Sequence, residues 1–196
     1  NMVKDFKYAF TLSEVLITLV LVGIIASILL PALIQNKPDK NKVLFKKAYT
    51  TVENIVTELV NDDRLYPLAN GTEGLDNTTS VTVNDTSYSG NTKFCKLFAL
   101  KLNTIETDDA IQCGADNVAF TTSDSIQWYM PETAFAADAK IKVDVNGSKE
   151  PNCEYNTTSC DEPDQFAIYV SPDGSVGVKG VKEKEYLRSS EVTKTR

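Results

Sequence analysis

The sequence predicts an α+β protein: two helices of different character, then a small antiparallel sheet. Three observations carry this. Residues 15–34 hold no charge. From Phe45 to Leu59 apolar residues recur every three or four positions. Beyond residue 117, short runs rich in β-branched and aromatic residues alternate with turn residues. The chain has 196 residues; without its apolar N-terminal part about 150 remain, the size of one globular domain.

The uncharged segment comes first. Twenty residues at about 1.5 Å each make roughly 30 Å of helix, the thickness of a bilayer's hydrocarbon. A cleaved secretory signal has an apolar core of only about 7–15 residues and then a small-x-small site, which is missing here. A soluble core helix would need a polar face, and Thr18 and Ser27 are too few. The segment is expected to cross a membrane. Glu14 stands immediately ahead of it. A carboxylate near the bilayer core costs about 2.5–3.5 kcal/mol on insertion scales, so it needs a partner. The next basic residue is Lys37, roughly 35 Å along a helix. A free α-amino group, with a pKa near ~8, would serve if the chain were cut before Phe10.

The stretch KYAFTLSEV, residues 7–15, resembles the processing motif of type IV pilins and type II secretion pseudopilins. That motif is a short basic leader, a small residue, Phe, three further residues, Glu and an apolar helix. Ala9 stands where the family's leader usually ends in Gly. The resemblance implies a pilin-like fold, with a long helix, first membrane-spanning and then amphipathic, packed on a small antiparallel sheet. It implies that prepilin peptidase removes residues 1–9 by cutting between Ala9 and Phe10, and that Phe10 is N-methylated. Glu14 would pair with the Phe10 amine of a neighbouring subunit. An inner-membrane platform and its ATPase would assemble the chain with copies of itself or other pilins. The resemblance also implies a bacterial inner-membrane protein, single-pass with its head outside the cytoplasm, and then a periplasmic or extracellular filament. Gly23 and Pro31 stand where the family often breaks its helix, and proline removes a backbone donor. They mark residues 23–31 as able to unwind in a filament, although Gly and Pro are also frequent in membrane helices generally. Pilus, pseudopilus and competence filament are all compatible with the motif. The alternative within the family is a minor tip pilin that binds surfaces, secreted proteins or DNA.

Charge is uneven. Residues 37–47 carry five Lys and one Asp, whereas residues 48–196 hold 13 basic against 24 acidic side chains, a net of −11. Such a head repels phosphates and argues against nucleic acid as a partner. Residues 179–196, with six basic and three acidic residues, are a local exception. The lysines after the apolar segment outnumber the two before it, which by the positive-inside rule alone would keep the head in the cytoplasm. The cysteines and the processing motif point the other way. Cys95, Cys113, Cys153 and Cys160 all follow the apolar segment, and an even number suits two disulfides in an exported domain. Zinc is the rival reading, but the chain has no His and no C-x-x-C. Sequence order favours Cys95 with Cys113 and Cys153 with Cys160, one of three connectivities.

The remaining elements follow in order. Residues 36–39 interrupt the first helix, with Pro38 and Asp39 suited to a new helix start. Phe45, Ala48, Tyr49, Val52, Ile55, Val56 and Leu59 form one apolar face of the second helix, within a segment spanning 36–63. The head then runs over 64–196. Residues 66–92, rich in Asn, Thr, Ser and Gly, read as a long surface loop. Residues 93–102 read as a short helix with Phe94, Leu97 and Phe98 inward. Strands are expected at 118–121, 125–129, 140–145, 166–171 and 175–181, the last two joined through Pro172-Asp173-Gly174. Asn70, Asn77, Asn84, Asn146 and Asn156 each begin an N-x-Ser/Thr triplet.

Asp144, Asn146, Asp161 and Asp164 offer a set of oxygens of the type calcium takes, although Gly147 does not sit where an EF-hand places its glycine. Major pseudopilins bind calcium in a C-terminal loop of similar character, so the resemblance implies this ion as a ligand. The competing reading is that these side chains stabilise turns by bonding their own backbone. The residues point away from an enzyme: with no His there is no Ser-His or Cys-His arrangement, and no glycine-rich loop joins a strand to a helix.

Overall fold

The structure, a computed structural model, describes residues 11–35, 39–67, 74–102, 104–105, 107, 110–114, 116–155, 160 and 162–188, with residues 30–35 as backbone. It divides into two units, Asn1–Asp39 and Lys40–Arg196. The first contains one helix, α1 (Leu12–Gln35), which continues through Gly23 and Pro31.

The second unit is an α+β head. Helix α2 (Lys40–Val60) buries Phe45, Ala48, Val52, Ile55, Val56 and Leu59, while Tyr49 is half-buried. Each of these Phe, Val, Ile and Leu side chains, taken fully from water, contributes about 1.5–3 kcal/mol. The stripe joins a core with a five-stranded antiparallel sheet in the order β3-β4-β5-β6-β7. Its strands are β3 (Phe120–Thr121), β4 (Gln127–Tyr129), β5 (Ala139–Asp144), β6 (Gln165–Val170) and β7 (Val176–Gly177). The register sets Phe120, Trp128, Val143 and Phe166 opposite one another in a single buried row. Phe45 meets Phe166 with ring centroids 4.6 Å apart. Helix α3 (Lys93–Leu100) adds Phe98 against Trp128 and Phe94 edge-on to Phe135. Trp128 and Met130 are therefore core residues.

Two expectations need correction. Residues 66–92 are not a surface loop throughout. β1 (Val81–Val83) and β2 (Thr86–Tyr88) form a hairpin, and Asn84 and Asp85, at φ 48° and 64°, make the tight turn that matches strand twist. Ahead of the hairpin, Asn77 is buried and receives the Tyr66 hydroxyl at 3.0 Å, while its amide donates to the Thr133 carbonyl at 2.5 Å. Lys93, also buried, donates to the Asp76 carbonyl at 3.1 Å and lies over the Tyr66 ring. A glycan on Asn77 is incompatible with this packing, whereas Asn84 is exposed; Asn70 and Asn156 lie outside the described residues.

The second correction concerns 175–181. The ladder ends at Gly177, and helix α4 (Val181–Arg188) begins instead. β7 pairs only with Tyr169 and Val170, so the rest of the β6 edge needs another cover. Glu183 of α4 turns its carboxylate back against Gly180, where no Cβ intervenes, and accepts the Ala167 N–H at 3.3 Å. Tyr186 then packs on Phe45 and Phe166. The Cys153 carbonyl accepts the Gln165 N–H at 3.1 Å and completes the edge.

Asn77→Ala is expected to leave the Tyr66 hydroxyl and the Thr133 carbonyl without partners. At about 1–3 kcal/mol for each orphaned group, urea unfolding should show a loss of roughly 2–6 kcal/mol.

Candidate functional site

Helix α1 carries the most unusual surface. From Leu12 to Leu29 it has a mean hydropathy of 2.5, long and apolar enough to cross a membrane. Its twelve described Leu, Ile and Val side chains are exposed by between 44% and 81%, and they lie all around the helix. Removing that much aliphatic surface from water is worth on the order of 10–20 kcal/mol, so lipid or other apolar helices are its natural surroundings. The two hydroxyls on it make no outside demand. Thr18 donates to the Val15 carbonyl at 2.9 Å and Ser27 to the Ile24 carbonyl at 2.7 Å.

Glu14, the one charge in α1, has a partner that the sequence reading missed. Its Oε2 accepts the Thr11 backbone N–H and the Thr11 hydroxyl, both at 2.8 Å, and its own N–H donates back to the Thr11 hydroxyl oxygen at 3.3 Å. This is a capping box, with Thr11 as N-cap and Glu14 three residues on. The signal was present as Thr-x-x-Glu ahead of an apolar run. The carboxylate's first role is thus local: it closes a helix end whose N–H groups would otherwise lack acceptors. Both bonds from Thr11 fall on Oε2, and Oε1 takes none among the described residues. Ala9 and Phe10 lie outside those residues.

The four cysteines pair in sequence order. Cys95–Cys113 ties the first turn of α3 to the segment ahead of β3, and Cys153–Cys160 closes a short loop. In the chain-entropy account a closed loop the size of the first stabilises by about 3 kcal/mol.

The proposed calcium ligands are only partly brought together. Asp144 ends β5 and Asp164 precedes β6, both buried. Asp164 accepts the backbone N–H of Asn152 at 2.9 Å on Oδ2 and of Cys153 at 2.8 Å on Oδ1. Asp144 accepts Gln165 Nε2 at 3.0 Å and the Asn146 N–H at 3.3 Å. Asp144 thus bonds backbone two residues on, whereas Asp164 holds backbone 11 and 12 residues ahead of it in the chain. Asn146 Oδ1 is buried with no donor among the described residues, and Asp161 lies outside them. Burial pushes the Asp144 carboxyl above its ordinary value; the Gln165 bond opposes this and the neighbouring Asp164 adds to it.

A raised folded pKa means that the native state binds this proton more tightly than the unfolded chain, so the group adds stability as pH falls. Relative to Asp144→Asn, the wild type should gain stability between pH ~7 and ~4 and level off below the ordinary Asp range. Urea midpoints of both proteins across that range check it, and a difference of opposite slope rejects it.

Comparison with known proteins finds no matching family model, no matching curated protein and no matching solved structure.

Proposed function

We propose that the chain is a structural subunit of a pilus-like or type II secretion pseudopilus filament. In this reading a prepilin peptidase frees Phe10 by cutting after Ala9, and α1 anchors the chain in the bacterial inner membrane until an assembly platform and ATPase extract it. The head lies outside the cytoplasm, and other copies or other pilins pack their α1 helices around one another.

The observation that carries the reading is the condition of Glu14. It is the single charge at the head of a helix whose aliphatic surface is open all around, and Thr11 holds one of its oxygens while the other takes no bond among the described residues. Helices packed side by side away from water would bury that carboxylate. A neighbour's α-ammonium at Phe10 would match it, and a helix slipped along the axis would leave both charges unpaired at about 3–5 kcal/mol. The pair therefore sets axial register, and Thr11 sets the carboxylate's direction. The head, Lys40–Arg196, holds 17 basic against 24 acidic side chains, and this net of −7 suits the outside of such a filament, where it stays soluble.

Mass spectrometry of the protein from its host's membranes should find a chain that begins at N-methylated Phe10; a chain still carrying residues 1–9 rejects the reading. Glu14→Ala should be processed normally, yet its filament yield should fall by more than about tenfold, given the cost of an unpaired buried charge. Thr11→Val should lose part of the yield and Thr11→Ser should keep it. Undiminished yield from Glu14→Ala removes the register role.

A further inference from the structure

The loop after β5 brings several oxygens and one side-chain amide to a single point. A calcium site gathers six to eight oxygens around one point. Here several oxygens do converge, but the group among them is an amide. Asn152, at φ 47° on the exposed rim of the loop, turns one end of its side-chain amide inward; assigned as nitrogen from its surroundings, that end lies 3.0 Å from Asp144 Oδ2, 3.1 Å from the Gly147 carbonyl oxygen and 3.3 Å from the Lys149 carbonyl oxygen. With the oxygen inward, four oxygens would face one another and need a cation between them, whereas with the nitrogen inward all three contacts become hydrogen bonds within the chain. The surroundings are built to match. Gln165 donates to the same Asp144 oxygen at 3.0 Å, and the backbone N–H groups of Asn152 and Cys153 fill both oxygens of Asp164. Gly147, at φ 70°, lies so close to the Ser125 carbonyl that a Cβ would meet its oxygen at 2.7 Å, so the loop has one tight course.

We propose that the Asn152 side-chain amide takes the place of a bound cation in this head. It gathers the Asp144 carboxylate and the Gly147 and Lys149 carbonyls around one NH₂ group and closes the loop of residues 144–153 without metal. The donor set therefore departs from the calcium loop that the pseudopilin resemblance implied. The inference concerns the head alone and holds whichever assembly the chain joins.

Thermal unfolding of the full chain in detergent tests it. The wild type should melt at the same temperature in millimolar calcium and in EDTA. Asn152→Leu, which removes the donor, should melt lower by about 5 °C in both. Asn152→Asp sets a carboxylate against the three oxygens: it should melt lower in EDTA and regain most of the loss in calcium. A wild type that calcium stabilises overturns the proposal, because its amide must then turn an oxygen to the ion. So does an Asn152→Asp protein that stays destabilised or unfolded in calcium, or an Asn152→Leu protein as stable as the wild type.

Discussion

An aliphatic helix with open surface on every side is the constraint to which the rest of this chain answers. The side chains of α1 from Leu12 to Leu29 are exposed, and the stabilisation available from covering them is as large as the net stability of a typical domain. The helix meets the constraint by removing every other demand. Thr18 and Ser27 return their hydroxyl protons to their own helix, and Thr11 and Glu14 close its first turn. What remains among the described residues is an apolar cylinder headed by one carboxylate oxygen that takes no bond, a surface suited to lipid or other apolar helices.

The head depends on α2 for its core. The stripe from Phe45 to Leu59 meets the buried row of Phe120, Trp128, Val143 and Phe166, and α3 and α4 supply further aromatic contacts. Around that core, polar side chains do the work of missing backbone partners. Glu183 accepts the Ala167 N–H where β7 has ended, and Asp164 accepts two successive N–H groups of the loop. Asn77 bridges Tyr66 and Thr133. Each is a case of the rule that a buried donor or acceptor must find a partner. Together they hold irregular segments to a small sheet.

The same rule accounts for the bonds that the two loop carboxylates make. Four oxygen-bearing side chains within about twenty residues look like a cation site when only their types and spacing are known. The hydrogen bonds show what each does in the fold: Asp164 accepts two backbone N–H groups, and Asp144 accepts the Gln165 side-chain amide and the Asn146 N–H.

Much of the architecture was legible in the order of residues. The uncharged run of α1, the three-and-four spacing of α2, the inward face of α3 and the strands ending at Tyr129 and Val170 depend on local periodicity and turn chemistry, which a linear string carries directly. The disulfide pairing also followed chain order. The Asn84-Asp85 hairpin and the Thr11–Glu14 cap had local signals too, and those were overlooked. Only the tertiary structure decided that residues after Gly180 would coil into a helix, that Asn77 would be buried and that Asn152 would face Asp144. Those outcomes depend on which edge of β6 was left uncovered and which polar groups were shut away from water. Such needs arise from partners distant in sequence, so no local pattern records them.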